Sequence, residues 1–378
     1  MTTKKHQKHA KLSRTEIGKY ARNEIAILGT PCGEIKKLAL DITATLEGKS
    51  VAYLDMDHHS DAAEKTKIFQ GFSQMYTDKI DFRRFDFQRS FNEFELRKFF
   101  NHTDLLLVNG NHMEAAAQLI VIDSRKKLDK HLPKVTNPLA LIFQDGESII
   151  PDALKKHYPS IEKLPQIQLS ETQQIAQLVR DYLTQRGPKL KALVLAGGKS
   201  ERMQQDKGAI NYHGKPQTQH IFELLQQYTD EVYLSGRSDQ HSLKENYPFI
   251  EDKFVGLGPF GGILSAFQQD PNAAWLVVAV DLPLLSEKSL DYLVANRNPS
   301  KVATAFISPF NQFPEPLITV WEPKAYNEML QFLGWGYSCP RKVLINSDIY
   351  VIENPFIEEQ TNVNTPEEMR EVMTKLHK

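Results

Sequence analysis

Two largely apolar runs, each leading into a glycine-bearing turn, organise the chain. The first is Glu24-Ile-Ala-Ile-Leu28, followed by Gly29-Thr-Pro-Cys-Gly33. The second is Leu190-Lys-Ala-Leu-Val-Leu195, followed by Ala196-Gly197-Gly198. A short β-rich run, a glycine turn and then a polar or helical segment is how a parallel α/β sheet begins. Each half therefore opens its own α/β unit. Val51–Leu54, Asp104–Val108 and Leu139–Phe143 supply further strands in the first half. Glu231–Leu234, Ala274–Val280, Val302–Phe306 and Leu317–Val320 supply them in the second. Helical patterns alternate with these strands, which predicts two α/β layers with mostly parallel sheets. Glu171–Gln185 reads as an amphipathic helix, with Ile175, Leu178, Val179 and Tyr182 on one face. Arg186-Gly187-Pro188 ends it. The expected organisation is a basic arm over 1–22, a first domain over 23–187 and a second over 188–378.

A chain of 378 residues fits two or three domains. The 46 Lys plus Arg nearly cancel the 47 Asp plus Glu, so no net field draws nucleic acid or an acidic membrane. Cys32 and Cys339 lie in different halves, which fits a reducing compartment better than a disulfide framework. The first residues are basic without an apolar core, unlike a secretory signal. The longest apolar run, Ala273–Leu285, is broken by Asp281 and Pro283, so no membrane span is expected. These features predict a soluble cytoplasmic protein.

The chemistry concentrates after the second apolar run, in Leu195-Ala196-Gly197-Gly198-Lys199-Ser200-Glu201-Arg202-Met203-Gln204-Gln205-Asp206-Lys207. Gly197 and Gly198 carry no side chain, so backbone N–H groups there can approach a triphosphate. Lys199, Arg202 and Lys207 bring charge to neutralise it, with Lys207 placed to clamp the phosphate under attack. The alternative is a tight strand-to-loop turn with solvated charges. Asp281 follows a buried strand, at the sheet edge where α/β proteins hold ligands, and one carboxylate with phosphate oxygens and water suits Mg2+. It could instead cap the turn before Pro283. Asp252 is a candidate acceptor for a ribose hydroxyl or a base edge, or a turn carboxylate. Asn362 and Asn364 alternate on an extended segment and so share a side. Asn364 would orient phosphate or metal-bound water, or else start a helix cap with Glu367.

This loop resembles the signature of the molybdenum cofactor guanylyltransferase family, whose loop reads Leu-Ala-Gly-Gly, then Ser, Arg-Met-Gly and Asp-Lys. Later stations agree in order: Gly214-Lys215-Pro216, Asp252, Gly258-Pro259-Phe260-Gly261-Gly262, Asp281, Glu315-Pro316-Leu317 and Asn362 to Glu368. The resemblance implies a Rossmann-like fold and GMP transfer from GTP to molybdopterin or its molybdenum form. It also implies Mg2+ as cofactor. Nucleotide contacts would come from Leu195, Ala196, Gly197, Gly198, Lys207, Ser235, Asp252 and Asp281, and catalysis from Lys207, Asp281 and Arg202. Asn362 and Asn364 would support substrate or metal, and Asp281 would be the metal ligand. Molybdoenzymes and other cofactor-biosynthesis proteins are the implied partners. The Gly-Gly pair, where cytidine-using relatives have Ala-Gly, favours GTP. Two positions depart from the pattern: Gln204 replaces the glycine after Arg-Met, and Ser235 stands where relatives often carry Asn. The other readings are a cytidylyl- or sugar-phosphate nucleotidyltransferase, and a non-catalytic carrier of cofactor or nucleotide.

In the first half, Ile25 to Leu38 has the strand–loop–helix layout of a P-loop without its core motif. Ile35 occupies the essential lysine position, and Lys36 and Lys37 occupy the hydroxyl positions. This half resembles the GTP-binding adaptor of guanine dinucleotide cofactor biosynthesis, with Asn109 where that family has an acidic residue. A degenerate P-loop domain is expected. Asp55, Asp57, His58 and His59 read as a polar turn in preference to metal ligands. His6 and His9 among the N-terminal lysines read as a solvated arm. Cys32, at a predicted helix N-terminus, is either a small packed residue or a reactive thiol.

Overall fold

The computed structural model describes residues 17–56, 69, 71–144, 146–197 and 206–376. The chain divides into two compact units, one ending at Arg186 and one beginning at Gly187.

The first unit carries β1 (Glu24–Leu28), β2 (Val51–Leu54), β3 (Gln74–Asp78), β4 (Arg83–Phe87), β5 (Leu105–Asn109), β6 (Ala117–Ile122), β7 (Pro138–Phe143) and β8 (Gln166–Gln168). Six of them form one sheet in the order β2-β5-β1-β6-β7-β8, with every pairing parallel. Alternation along each strand separates two cores. Ile25 and Ile27 face the helices Cys32–Ala44 and Thr172–Gln185, meeting Ile35, Leu38, Ile175 and Val179. Ala26 and Leu28 face the opposite side, with Leu106, Val108 and Leu154. On the Thr172–Gln185 helix, Ile175 and Val179 are fully buried, while Leu178 and Tyr182 pack at the margin of the same cluster.

Three features depart from the expected elements. β6 (AQLIVI) is a wholly buried strand; such a strand reads as a continuous apolar run, which periodicity alone does not separate from helix. β3 and β4 form a separate antiparallel hairpin, on which Tyr76 and Phe85 are exposed and their rings lie 5.6 Å apart. Residues 17–22, expected in the arm, are anchored at their end: Tyr20 and Ala21 are buried. The buried Glu24 carboxylate accepts from the backbone amides of Lys19, Tyr20, Ala21 and Ala116. Those amides satisfy a charge that would otherwise be costly to bury.

The second unit carries β9 (Leu190–Leu195), β10 (Val232–Gly236), β11 (Phe249–Glu251), β12 (Ala274–Ala279), β13 (Ala303–Ile307), β14 (Pro314–Trp321) and β15 (Tyr350–Ile352). The sheet order is β11-β10-β9-β12-β14-β13-β15. β9, β10, β11 and β12 run parallel to one another and β15 runs parallel to β13, whereas β14 runs antiparallel to β12 and β13. From β9 the chain steps outward to β10 and β11, then returns to β12 on β9's other side. That reversal opens a crevice above the carboxyl ends of β9 and β12, where open α/β sheets bind ligands. Leu193, Trp275 and Val277 pack against the helix Pro259–Gln269 on one face. Ala192, Val194, Leu276 and Val278 pack against the helices Gln217–Leu225 and Glu287–Ala295 on the other. Both halves are thus α/β units, the main sheet of the first wholly parallel and that of the second mixed. Among the described residues, no helix is long and apolar enough to cross a membrane.

Candidate active site

The crevice holds a cavity of about 220 Å³ lined by strand ends: Leu195, Ala196 and Gly197 at the end of β9, Ser235 in β10, Asp252 after β11, and Ala279, Val280 and Asp281 at the end of β12. Asp206, Lys207, Gly258, Pro259 and Leu317 complete the lining. Of the residues singled out from the sequence, Leu195, Ala196, Gly197, Lys207, Ser235, Asp252 and Asp281 therefore converge on one site. Gly198, Lys199, Arg202 and Gln204 lie outside the described residues.

Each side chain is set by local structure. Asp206 Oδ1 accepts from Gly208 N at 2.9 Å and starts the short turn Lys207–Ala209, which aims Lys207 inward. A Cβ at Gly208 would sit 2.2 Å from Thr218 Oγ1 on the helix behind, so a larger residue there would force that side chain or the turn to shift. Lys207 Nζ donates to Asn364 Oδ1 at 2.7 Å and stands 3.6 Å from Asp281 Oδ2. Val363 N donates to Asp281 O at 2.9 Å, which docks the late segment beside the β12 end. Asn362, two residues before Asn364, is exposed.

The cap expected at Asn364 with Glu367 is displaced by one residue. Glu368 N donates to Thr365 Oγ1, and Glu368 Oε2 accepts from Thr365 N, a reciprocal capping box. Pro366 opens the helix Pro366–Leu376. Proline favours the first helical position, which makes Thr365 the cap residue and leaves the Asn364 side chain to Lys207.

Asp281 Oδ1 is buried and has no hydrogen-bond partner among the described residues. Burial pushes its carboxyl above the usual aspartate range, and the Lys207 ammonium opposes that shift. Burial also raises the Asp252 carboxyl, against the hydrogen bond that Ser235 Oγ donates to Asp252 Oδ1 at 2.7 Å. Burial and the neighbouring Asp281 charge push the Tyr212 phenol up to about 12. Among the described residues, no group of three or more His, Cys, Asp or Glu could hold a metal ion. A metal here would need ligands from substrate or water in addition to Asp281.

The sequence reading assigned no role to the clasp on the glycine loop. Arg237 Nη1 donates to Gly197 O at 2.6 Å, and Gln240 Nε2 donates to Ala196 O at 3.0 Å. Gln240 Oε1 accepts from Arg237 N, so the two residues brace each other. The available signal was the polar cluster directly after the end of β10. Glu315, which lies within electrostatic reach of Asp281, pairs with Arg341 at 3.0 Å.

In the first unit Asp55 is a turn carboxylate that accepts from Met56 N and the Tyr53 hydroxyl. Asp57, His58 and His59 lie outside the described residues, as do His6 and His9. At the expected P-loop, Thr30 Oγ1 donates to Asp123 Oδ2 at 2.5 Å, and Arg125 pairs with the same carboxylate at 2.8 Å. The Arg125 guanidinium holds Asp123 well down, to about 2, so this corner carries its own anion.

A family model described as a MobA-like NTP transferase domain matches residues 192–347. The molybdenum cofactor biosynthesis bifunctional protein of Synechocystis sp. is 36% identical over 185 residues, 48% of this chain and 53% of its own length. The chain thus spans about half the length of that relative. The probable molybdenum cofactor guanylyltransferase of Flavobacterium johnsoniae is 30% identical over 135 residues, 36% of this chain and 70% of its own. Among solved structures, molybdopterin-guanine dinucleotide biosynthesis protein A from Archaeoglobus fulgidus aligns at TM-score 0.41 and 20% identity, over 50% of this chain and 98% of that one.

Proposed function

The chain belongs to the molybdenum cofactor guanylyltransferase family, and on that premise we propose that its second unit transfers GMP from GTP to molybdopterin or its molybdenum form, releasing pyrophosphate. A phosphate oxygen of the acceptor attacks the α-phosphorus of GTP, and pyrophosphate leaves in line. Such a transfer needs positioned charge and no protein nucleophile. The observation that carries this reading is the pairing at the β12 end: a buried carboxylate oxygen on Asp281 with no partner among the described residues, and a lysine 3.6 Å from its other oxygen.

That oxygen fits magnesium. A hard cation takes one or two carboxylates and completes its shell with phosphate oxygens and water, which agrees with a single buried carboxylate in an open cavity. When bound, magnesium would neutralise charge on the triphosphate. Lys207 would bind the phosphates, held on course by Asn364 and by the turn that Asp206 starts. Gly197 would let the backbone approach them; a Cβ there would crowd Asp252 Oδ2 at 3.3 Å. Asp252, steadied by Ser235, would accept from the guanine edge or the ribose.

The test is pyrophosphate release with Mg2+, molybdopterin and each of GTP, CTP, ATP and UTP, beside Asp281→Ala. GTP alone should support release, and the variant should lose about 100-fold or more. Release with CTP in place of GTP would sink the guanylyl reading. No release with any nucleotide, despite measurable GTP binding, would favour a carrier.

A further inference from the structure

A second group of reactive side chains lies in the first unit, at the carboxyl edge of its sheet. Cys32 is the first residue of the 13-residue helix Cys32–Ala44. Its Sγ lies 3.2 Å from His112 Nε2, on the turn that follows β5. Asn111 fixes the two loops against each other: its Oδ1 accepts from Gly29 N, and its Nδ2 donates to Thr30 O. The same Nδ2 reaches the sulfur at 3.8 Å. Asp55, at the end of β2, interacts electrostatically with His112, and Tyr53 does so with Cys32. Asn109, fully buried at the end of β5, turns its side-chain amide toward Asp55 and Tyr53. Thiol and imidazole thus meet at the carboxyl edge of the sheet, with the Asp55 carboxylate within electrostatic reach of the imidazole, and Cys32 is partly exposed.

We propose that the Cys32–His112 pair is a thiol modification site that takes a low-molecular-mass disulfide. The attacking species in such exchange is the thiolate. His112, in the tautomer carrying its proton on Nδ1, accepts the Cys32 proton at Nε2. The sulfur then attacks one sulfur of the disulfide. A new S–S bond forms, the old one breaks, and the other half leaves as a thiolate that takes up a proton. Cys32 is oxidised and the departing sulfur is reduced, so the disulfide itself is the oxidant. Pro31, the residue before the helix, makes no side-chain cap hydrogen bond. The amides of Glu34 and Ile35 donate to the Pro31 carbonyl, so the first turn is closed by backbone alone.

The other cysteine, Cys339, is exposed and serves as an internal reference. The full-length protein at neutral pH would be treated with limiting 2,2′-dithiodipyridine. Labelling of each cysteine would be followed separately by peptide mass spectrometry. Cys32 should react about tenfold faster than Cys339 despite its lower exposure. His112→Asn should bring Cys32 to the Cys339 rate or below, while Cys339 keeps its own. Cys32 reacting no faster than Cys339 in the unaltered chain overturns the proposal, and that comparison does not depend on any variant folding. Parent-rate labelling in a folded His112→Asn protein overturns it as well.

Discussion

Lys207 counts among its partners Asp281, in an ion pair, and Asn364, through a hydrogen bond. With nucleotide bound, its charge would move from holding those groups to neutralising phosphate. Lys207→Ala should lower the rate of pyrophosphate release about 10²–10³-fold, the usual effect of losing one charge-stabilising donor, measured at saturating GTP. Asp252 offers a pH test. Its carboxyl is raised by burial, so on lowering the pH it protonates earlier than an ordinary aspartate and stops accepting hydrogen bonds. KM for GTP should therefore climb on acidification, starting above the usual carboxylate range. Ser235→Ala removes a hydrogen bond that favours the charged form, so the climb should begin at higher pH still. An unshifted profile in that variant would remove Asp252 from nucleotide recognition.

The helix Pro259–Gln269 owes its close seat on the sheet to paired glycines. A Cβ on Gly262 would meet Ser235 Oγ at 2.5 Å and Leu195 Cδ2 at 2.9 Å, and one on Gly261 would meet the Phe254 carbonyl oxygen at 2.2 Å. The helix start, with Gly258 at φ 57°, lines the cavity. Gly262→Ala should push the helix away from β9 and β10, costing about 1–3 kcal/mol by thermal or denaturant unfolding. It should also weaken GTP binding, because Ser235 and Asp252 border the same contact. Unchanged stability would mean that the helix shifts freely and that the glycines do not set its distance. The sequence marked this Gly-Gly as one station of a resemblance; its steric reason appears only once helix and strands are stacked.

Two units with separate cores make up the molecule. The clusters around β1 and its neighbours draw only on residues before Gly187, and those around β9 only on residues after it. Every described residue lining the site cavity belongs to the second unit. Residues 187–378 expressed alone should therefore fold cooperatively, by circular dichroism and a single unfolding transition, and release pyrophosphate within about threefold of the whole chain. A fragment that folds but is inert would show that the first unit contributes to the chemistry.

Much of this was legible beforehand. β1, β2 and β9 run over the residues their apolar patterns indicated; for the buried strands β1 and β9 this is because a parallel strand covered on both faces writes itself as a mostly apolar run, whereas β2 is a half-buried edge strand. Gly197, Lys207, Asp252 and Asp281, singled out by residue type and by the family resemblance, all line the one cavity at the sheet edge. What the linear order does not carry is distance between remote segments. Asn364 reaching Lys207, Arg237 clasping the Gly197 carbonyl and Cys32 facing His112 span separations of 157, 40 and 80 residues. Such contacts exist only because strand order in the sheet differs from strand order in the chain. The helix cap follows the same logic on a smaller scale. Asn364 or Thr365 could each start the final helix by propensity. Pro366 at the first helical position, with Asn364 drawn to Lys207, decided between them.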